Sequence, residues 1–188
     1  RGLGDVYKRQ LFIPYVITLI GTIMMFLLLV LPFTTATDEY AERLDRFADT
    51  EVYKGLSLTC ADVKNVSLVD YARIYVAVGE NFWKNEYAGW IYAGLIAAIG
   101  LFSLIAVIKA IRKKPIGIII STIFTVMTVA IFNWDLSARH VVQNENYVWG
   151  VAHYCYYIIP IIIIVGSIWL FIKKRQLNNC LLYTSDAA

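Results

Sequence analysis

The sequence predicts an all-α membrane protein, a bundle of four transmembrane helices with a small α/β outer loop domain between helices 1 and 2. Three observations carry that class. Apolar residues make up 59% of the chain and charged residues only 16%, whereas an average soluble domain is roughly 25% charged. The apolar residues gather into four long blocks, and stretches of about 18 or more such residues read as membrane-spanning helices. Between the first block and the second lie residues 34–86, a stretch too long for a simple connector and so expected to fold or function.

The first span is predicted over 11–33, Leu11 to Phe33. Ahead of it stands RGLGDVYKRQ, and the chain ends CLLYTSDAA. DVYKRQ can be encoded GAT GTG TAT AAG AGA CAG. The reverse complement of that string, read one base out of register, gives Cys-Leu-Leu-Tyr-Thr and the start of a Ser codon. Two termini that encode each other's complement resemble a translated transposase-end adapter joined to both ends of a fragment. Residues 1–10 and 180–188 are therefore expected to be adapter-derived, residues 11–179 to be the native four-helix membrane domain, and Lys8 and Arg9 to carry no topological meaning.

In the outer segment 34–86, TDEYAERLDRFAD opens with acids and sets Tyr40, Leu44 and Phe47 at i, i+4, i+7. That spacing predicts a short amphipathic helix lying on the bilayer or the bundle. Gly55 ends the region. VYKGLSLTC and YARIYVAVG (71–79), the latter with Ile74, Val76 and Val78 on one face, alternate as strands do. They predict two or three strands in a small sheet above the membrane.

The second span, Tyr87–Ile108, carries Ala93/Ala97 and Gly94/Ala98 at small-xxx-small spacing, which marks close approach inside the bundle or a dimer seam. IRKKP is too short to join anything but an antiparallel pair, and Pro115 suits the first turn of the next helix. The third span, Ile116–Trp134, sets Ser121, Thr125 and Thr128 at i, i+4, i+7. With Thr18, Thr22, Ser103, Thr122 and Ser167 they are the polar groups of the spans, and helical hydroxyls usually bond a backbone carbonyl. The fourth span, Val148–Ile172, contains Pro160, where a kink is expected.

Charge gives an orientation. Setting aside Arg1, Lys8, Arg9, Asp5 and Asp186 leaves fourteen basic and twelve acidic residues, net +2. Lys109, Arg112, Lys113 and Lys114 follow the second span, and Lys173, Lys174 and Arg175 follow the fourth, with no acid among them. The other seven bases and all twelve acids fall in the first and third loops. Short basic segments stay cytoplasmic, so both termini are expected inside and the long loop outside. Trp83, Tyr87, Trp90, Tyr92, Trp134, Tyr147, Trp149, Tyr154, Tyr156 and Tyr157 cluster at the outer ends, as interfacial aromatics do.

With four spans, a long first outer loop containing Gly55-Leu56 and Cys60, and a short second one, the chain resembles bacterial four-span membrane proteins of claudin-like layout. Claudin-type loops carry a Trp before the Gly-Leu and a second Cys forming a disulfide, whereas here Tyr53 is the nearest aromatic and the loop holds only Cys60. With Cys180 set aside in the adapter-like terminus, the remaining cysteine, Cys155, lies near the outer end of the fourth span; a Cys60–Cys155 bridge would need the loop to fold down over the bundle.

Candidates for chemistry are few. Asp135, His140 and His153 are suitable metal ligands in type and fall near the outer face, with an Asp135–Arg139 ion pair at i, i+4 as the plainer role. The sequence shows no phosphate loop, nucleotide fingerprint or nucleic-acid stripe, and no ionisable group near the centre of a span, which argues against ion-coupled transport and intramembrane proteolysis. The expected function is that of a non-enzymatic membrane protein. Its environment is the lipid bilayer, it uses no cofactor and binds no nucleic acid, and its outer domain engages a membrane or extracytoplasmic protein partner or stabilises a membrane complex. A small transporter or channel subunit is the alternative, and an outer-face metal-dependent enzyme at Asp135, His140 and His153 a second.

Overall fold

The structure, a computed structural model, describes residues 3–53, 56–82 and 86–185, with side chains at all of these except 3–9, 80–82, 86, 88 and 180–185. Helix α1 (Leu3–Leu27) passes through a 3-10 turn at 28–30 into strand β1 (Pro32–Ala36) and a short helix α2 (Asp38–Asp45). After a loop come β2 (Asn65–Ser67), α3 (Leu68–Phe82) and α4 (Glu86–Ile111), then α5 (Pro115–Ala138), β3 (Tyr147–Trp149) and α6 (Val151–Ser185).

Four helices are long and apolar enough to cross a membrane, over Gln10–Val30, Gly89–Ile111, Pro115–Ala138 and Val151–Asn179. Each touches two of the others: α1 packs on α4 and α6, and α5 packs on α4 and α6. The buried seam of α4 repeats every three or four residues at Ile96, Ile99, Ser103, Ala106 and Ala110, with Gly89 two turns before them. Ile120, Phe124, Met127, Ile131 and Trp134 of α5 face outward, while all eight span hydroxyls named from the sequence are buried. This inversion is what a bilayer demands: the outer face needs no water, and small or hydroxyl residues let helices approach inside. Six of those hydroxyls (Thr18, Thr22, Ser103, Ser121, Thr125 and Thr128) donate to a carbonyl three or four residues earlier in their own helix.

The small sheet exists, but its strands are not the expected ones. β1 is central and pairs antiparallel with β2 on one side and β3 on the other. The expected first span reaches Phe33, yet the helix stops earlier. Pro32 has no N–H to continue it and holds Leu31 extended at φ −86°, ψ 156°, the conformation a following proline imposes. The expected fourth span begins at Val148, but Val148 and Trp149 pair with Thr35 and Thr34. Gly150 then turns the chain into α6: its N–H donates to Phe33 O at 2.8 Å, and a Cβ there would sit 2.5 Å from Pro32 O.

The larger correction concerns 71–79, expected as a strand and found in the middle of α3. Ser67 Oγ accepts from Asp70 N–H at 3.2 Å, and Asp70 Oδ2 accepts from Ser67 N–H at 3.1 Å. That reciprocal cap starts a helix. Leu68, Tyr71, Tyr75 and Gly79 then form its buried face, a 3-4 spacing that outweighs the alternation of Ile74, Val76 and Val78, all three half-buried on its flanks. The described residues of 52–60 contribute no strand either, only an isolated bridge between Glu51 and Thr59, and Lys54 and Gly55 lie outside the described residues. The amphipathic helix of TDEYAERLDRFAD does form, burying Leu44 and half-burying Tyr40; Phe47 falls beyond its end and is exposed.

The small-residue pairs of α4 divide. Gly94 has open space where a Cβ would be, and Ala97 is exposed. The close crossings occur elsewhere. A Cβ at Gly89 would lie 2.3 Å from Tyr75 O where α4 meets α3, and one at Gly21 would lie 2.8 Å from Ile163 Cγ1 where α1 meets α6.

Candidate functional site on the sheet-side face

The sheet layer is seated on the bundle by aromatic rings. A register shift between Pro32 and Thr34 inserts Phe33 as an extra residue in β1, so Phe33 and Thr34 both turn inward; bulges of this kind re-aim side chains. Phe33 is fully buried among Phe132, Trp149, His153 and Tyr156, with ring centroids 5.7–6.2 Å away. The Thr34 and Tyr71 hydroxyls share a hydrogen bond of 2.9 Å. Burial pushes the Tyr71 phenol well above its ordinary range, and the Thr34 bond opposes this only in part.

Beside this cluster is a polar knot joining α3, α4 and α5. The Asp135–Arg139 pair expected at i, i+4 forms. Arg139 Nη2 also donates to the Tyr75 hydroxyl at 2.6 Å, and the Tyr92 hydroxyl donates to Asp135 Oδ1 at 3.0 Å. The Tyr75 and Tyr92 rings stack with centroids 4.8 Å apart, and the Arg139 guanidinium carbon lies 5.1 Å and 4.6 Å from their centroids, within cation–π range. Burial alone would lower the Arg139 pKa, but Tyr75 and Asp135 outweigh it and raise it, so the cation is held.

The three candidate metal ligands are not brought together. Asp135 belongs to the knot. His153 stacks on Trp149 at 4.0 Å between ring centroids. Exposed His140 terminates α5: at φ 53° its N–H donates to Ser137 O while Val141 N–H donates to Leu136 O. That is a Schellman cap with His140 in the left-handed position. Among the described residues no group of three or more His, Cys, Asp or Glu side chains is placed to hold a metal ion. Cys60 and Cys155 are both free thiols.

Between α2, the 51–60 loop, α3 and β3 lies a cavity of about 320 Å³, lined chiefly by Tyr40, Leu44, Val52, Cys60, Tyr71 and Tyr147. Tyr147 donates its hydroxyl to Val63 O at 2.8 Å, and burial pushes its pKa up. Val52 and, nearby, Phe47 expose much of their side chains, 45% and 63%. Apolar side chains this exposed on a wet loop are where contact with another molecule gains most. Sequence reasoning missed Tyr75 and Tyr92 as one site because it placed Tyr75 in a strand. The Ser67-Leu-Val-Asp70 capping signature was the signal that would have corrected it. Comparison of the chain with family models, curated proteins and solved structures gives no match.

Proposed function

We propose that the chain is a non-enzymatic, multi-pass membrane protein. Its sheet-side layer faces outward and engages an extracytoplasmic or membrane protein partner through the rim of the 320 Å³ cavity. The observation that carries this reading is Val52, an exposed apolar side chain on the lining of that cavity, with Phe47 exposed earlier in the same loop. The layer beneath them is fixed to the bundle by Phe33 and by the Arg139 knot, so the rim is presented on a rigid base and loses little conformational freedom on contact. Support for the orientation comes from charge: the bases of the 109–114 turn and of 173–175 share the opposite end, where Lys174 Nζ donates to Lys113 O at 3.4 Å.

Photo-crosslinking in native membranes tests this. A crosslinker at Phe47 is expected to give one adduct of discrete mass, lost when Val52→Asp is added. A crosslinker at Ile131, on the exposed apolar face of α5, is expected to give lipid adducts only. Identical adducts from both positions, or none from Phe47, would sink the reading.

A further inference from the structure

At the basic end the bundle holds a cavity of about 460 Å³ between the end of α4, the start of α5 and residues 171–178 of α6. Four cations line it: Lys109, Lys114, Lys174 and Arg175. Among the described residues none of the four is ion-paired. Four cations around one opening repel one another and are stabilised when an anion enters. The remaining wall is mostly apolar, made by Pro115, Ile116, Gly117 and Phe171, with Asn178 adding one neutral polar side chain. Ile116 and Phe171 are also exposed on the outer face, as are Ile120 and Ile168, a turn further along α5 and α6 towards the sheet. A Cβ at Gly117 would come 3.0 Å from Lys109 Cδ, so the glycine leaves room for the lysine stem to lie along α5.

We infer that this cavity binds the phosphate of an anionic glycerophospholipid, with its acyl chains along the exposed Ile116, Ile120, Ile168 and Phe171 surface. Basic pockets between membrane helices recognise phosphate headgroups in this way, and both lysine and arginine serve as phosphate donors. A free phosphate would satisfy the cations but leave the apolar wall and its continuation without a role; a lipid uses both. The inference rests on the membrane reading above, so carbonate-resistant membrane association of the chain is checked first. If that fails, the membrane reading falls before the lipid site is tested.

The test is thermal unfolding of the full chain in neutral detergent with added phosphatidylcholine, phosphatidylglycerol or inorganic phosphate. Phosphatidylglycerol in large excess is expected to raise the midpoint by on the order of 5 °C. The shift should be absent with phosphatidylcholine and lost in the Lys114→Gln/Lys174→Gln/Arg175→Gln variant. Should that variant not fold, native mass spectrometry of the unaltered chain replaces it, and a retained anionic lipid supports the site. Equal shifts from both lipids, no shift from either, or a shift with inorganic phosphate that phosphatidylglycerol does not exceed would overturn the inference.

Discussion

Arg139 shows how one residue can hold a layer together. Its guanidinium meets Asp135, the Tyr75 hydroxyl and the faces of Tyr75 and Tyr92, so groups from three helices depend on one cation. Asp135→Ala leaves that half-buried charge without its carboxylate, and a loss of about 1–3 kcal/mol is expected. It should read as a lower midpoint of thermal unfolding with the far-UV helix signal retained. His140→Gly should behave oppositely. Relief of a left-handed conformation is worth about 1–2 kcal/mol, partly offset by about 0.5–1 kcal/mol of glycine chain entropy. Stability is therefore expected to stay level or rise; a clear loss would mean the imidazole does more than end the helix. Tyr75 sets a pH limit. Burial, only partly countered by Arg139, pushes its phenol up to about 12, against an ordinary value of about 10. The folded state therefore holds the proton more tightly than the unfolded chain. This stabilisation is complete below about pH 10 and is lost as pH rises towards 12. Tyrosinate absorbance should lag behind that of the exposed phenols and then rise together with unfolding of the layer.

Among the elements, α3 is the instructive one. Ser67→Ala removes the cap of α3 and should cost about 1 kcal/mol. If residues 71–79 were a strand, the same change would be nearly silent in helix content. Gly89→Ala places a methyl group 2.3 Å from Tyr75 O, a backbone atom that cannot swing aside. Overpacking of this kind costs about 1–3 kcal/mol, and here it would push α4 off α3 and loosen the Tyr75–Tyr92 stack. Ala at Gly94, which has open space, is the matched control and should leave the unfolding midpoint unchanged. The sequence predicted four long apolar helices because twenty apolar residues in a row have few other uses. It missed α3 because these nine residues, 71–79, alternate at Ile74, Val76 and Val78 and also repeat every four at Tyr71, Tyr75 and Gly79, so they satisfy both templates. Only the cap at Ser67 and Asp70 separates them.

For the whole molecule, the sheet and the basic cavity sit at opposite ends of one bundle. The orientation proposed from charge predicts how each end is reached. In a Cys155→Ser background, Cys60 should react with an impermeant maleimide on intact cells. In a Cys60→Ser/Cys155→Ser/Cys180→Ser/Lys174→Cys chain, the introduced thiol should react only after permeabilisation. The reverse pattern would turn the protein over and place the Phe47 and Val52 rim inside.

The sequence by itself determined the number of long helices, their hydroxyl-bearing interiors, the antiparallel turn at 112–114, the amphipathic start of α2 and the Asp135–Arg139 pair. Each depends on residues close together in the chain, where composition and spacing speak directly. Only the tertiary structure decided which strands make the sheet, because β1, β2 and β3 are each too short to announce themselves and become strands by pairing across 30 to 115 residues. Tertiary structure likewise joined Tyr75, Tyr92 and Arg139, gave Asp135, His140 and His153 three different settings, and gathered Lys109, Lys114, Lys174 and Arg175 around one cavity. Chain order carries no distance between groups on different helices; close backbone approaches such as those at Gly89 and Gly150 exist only in the folded chain.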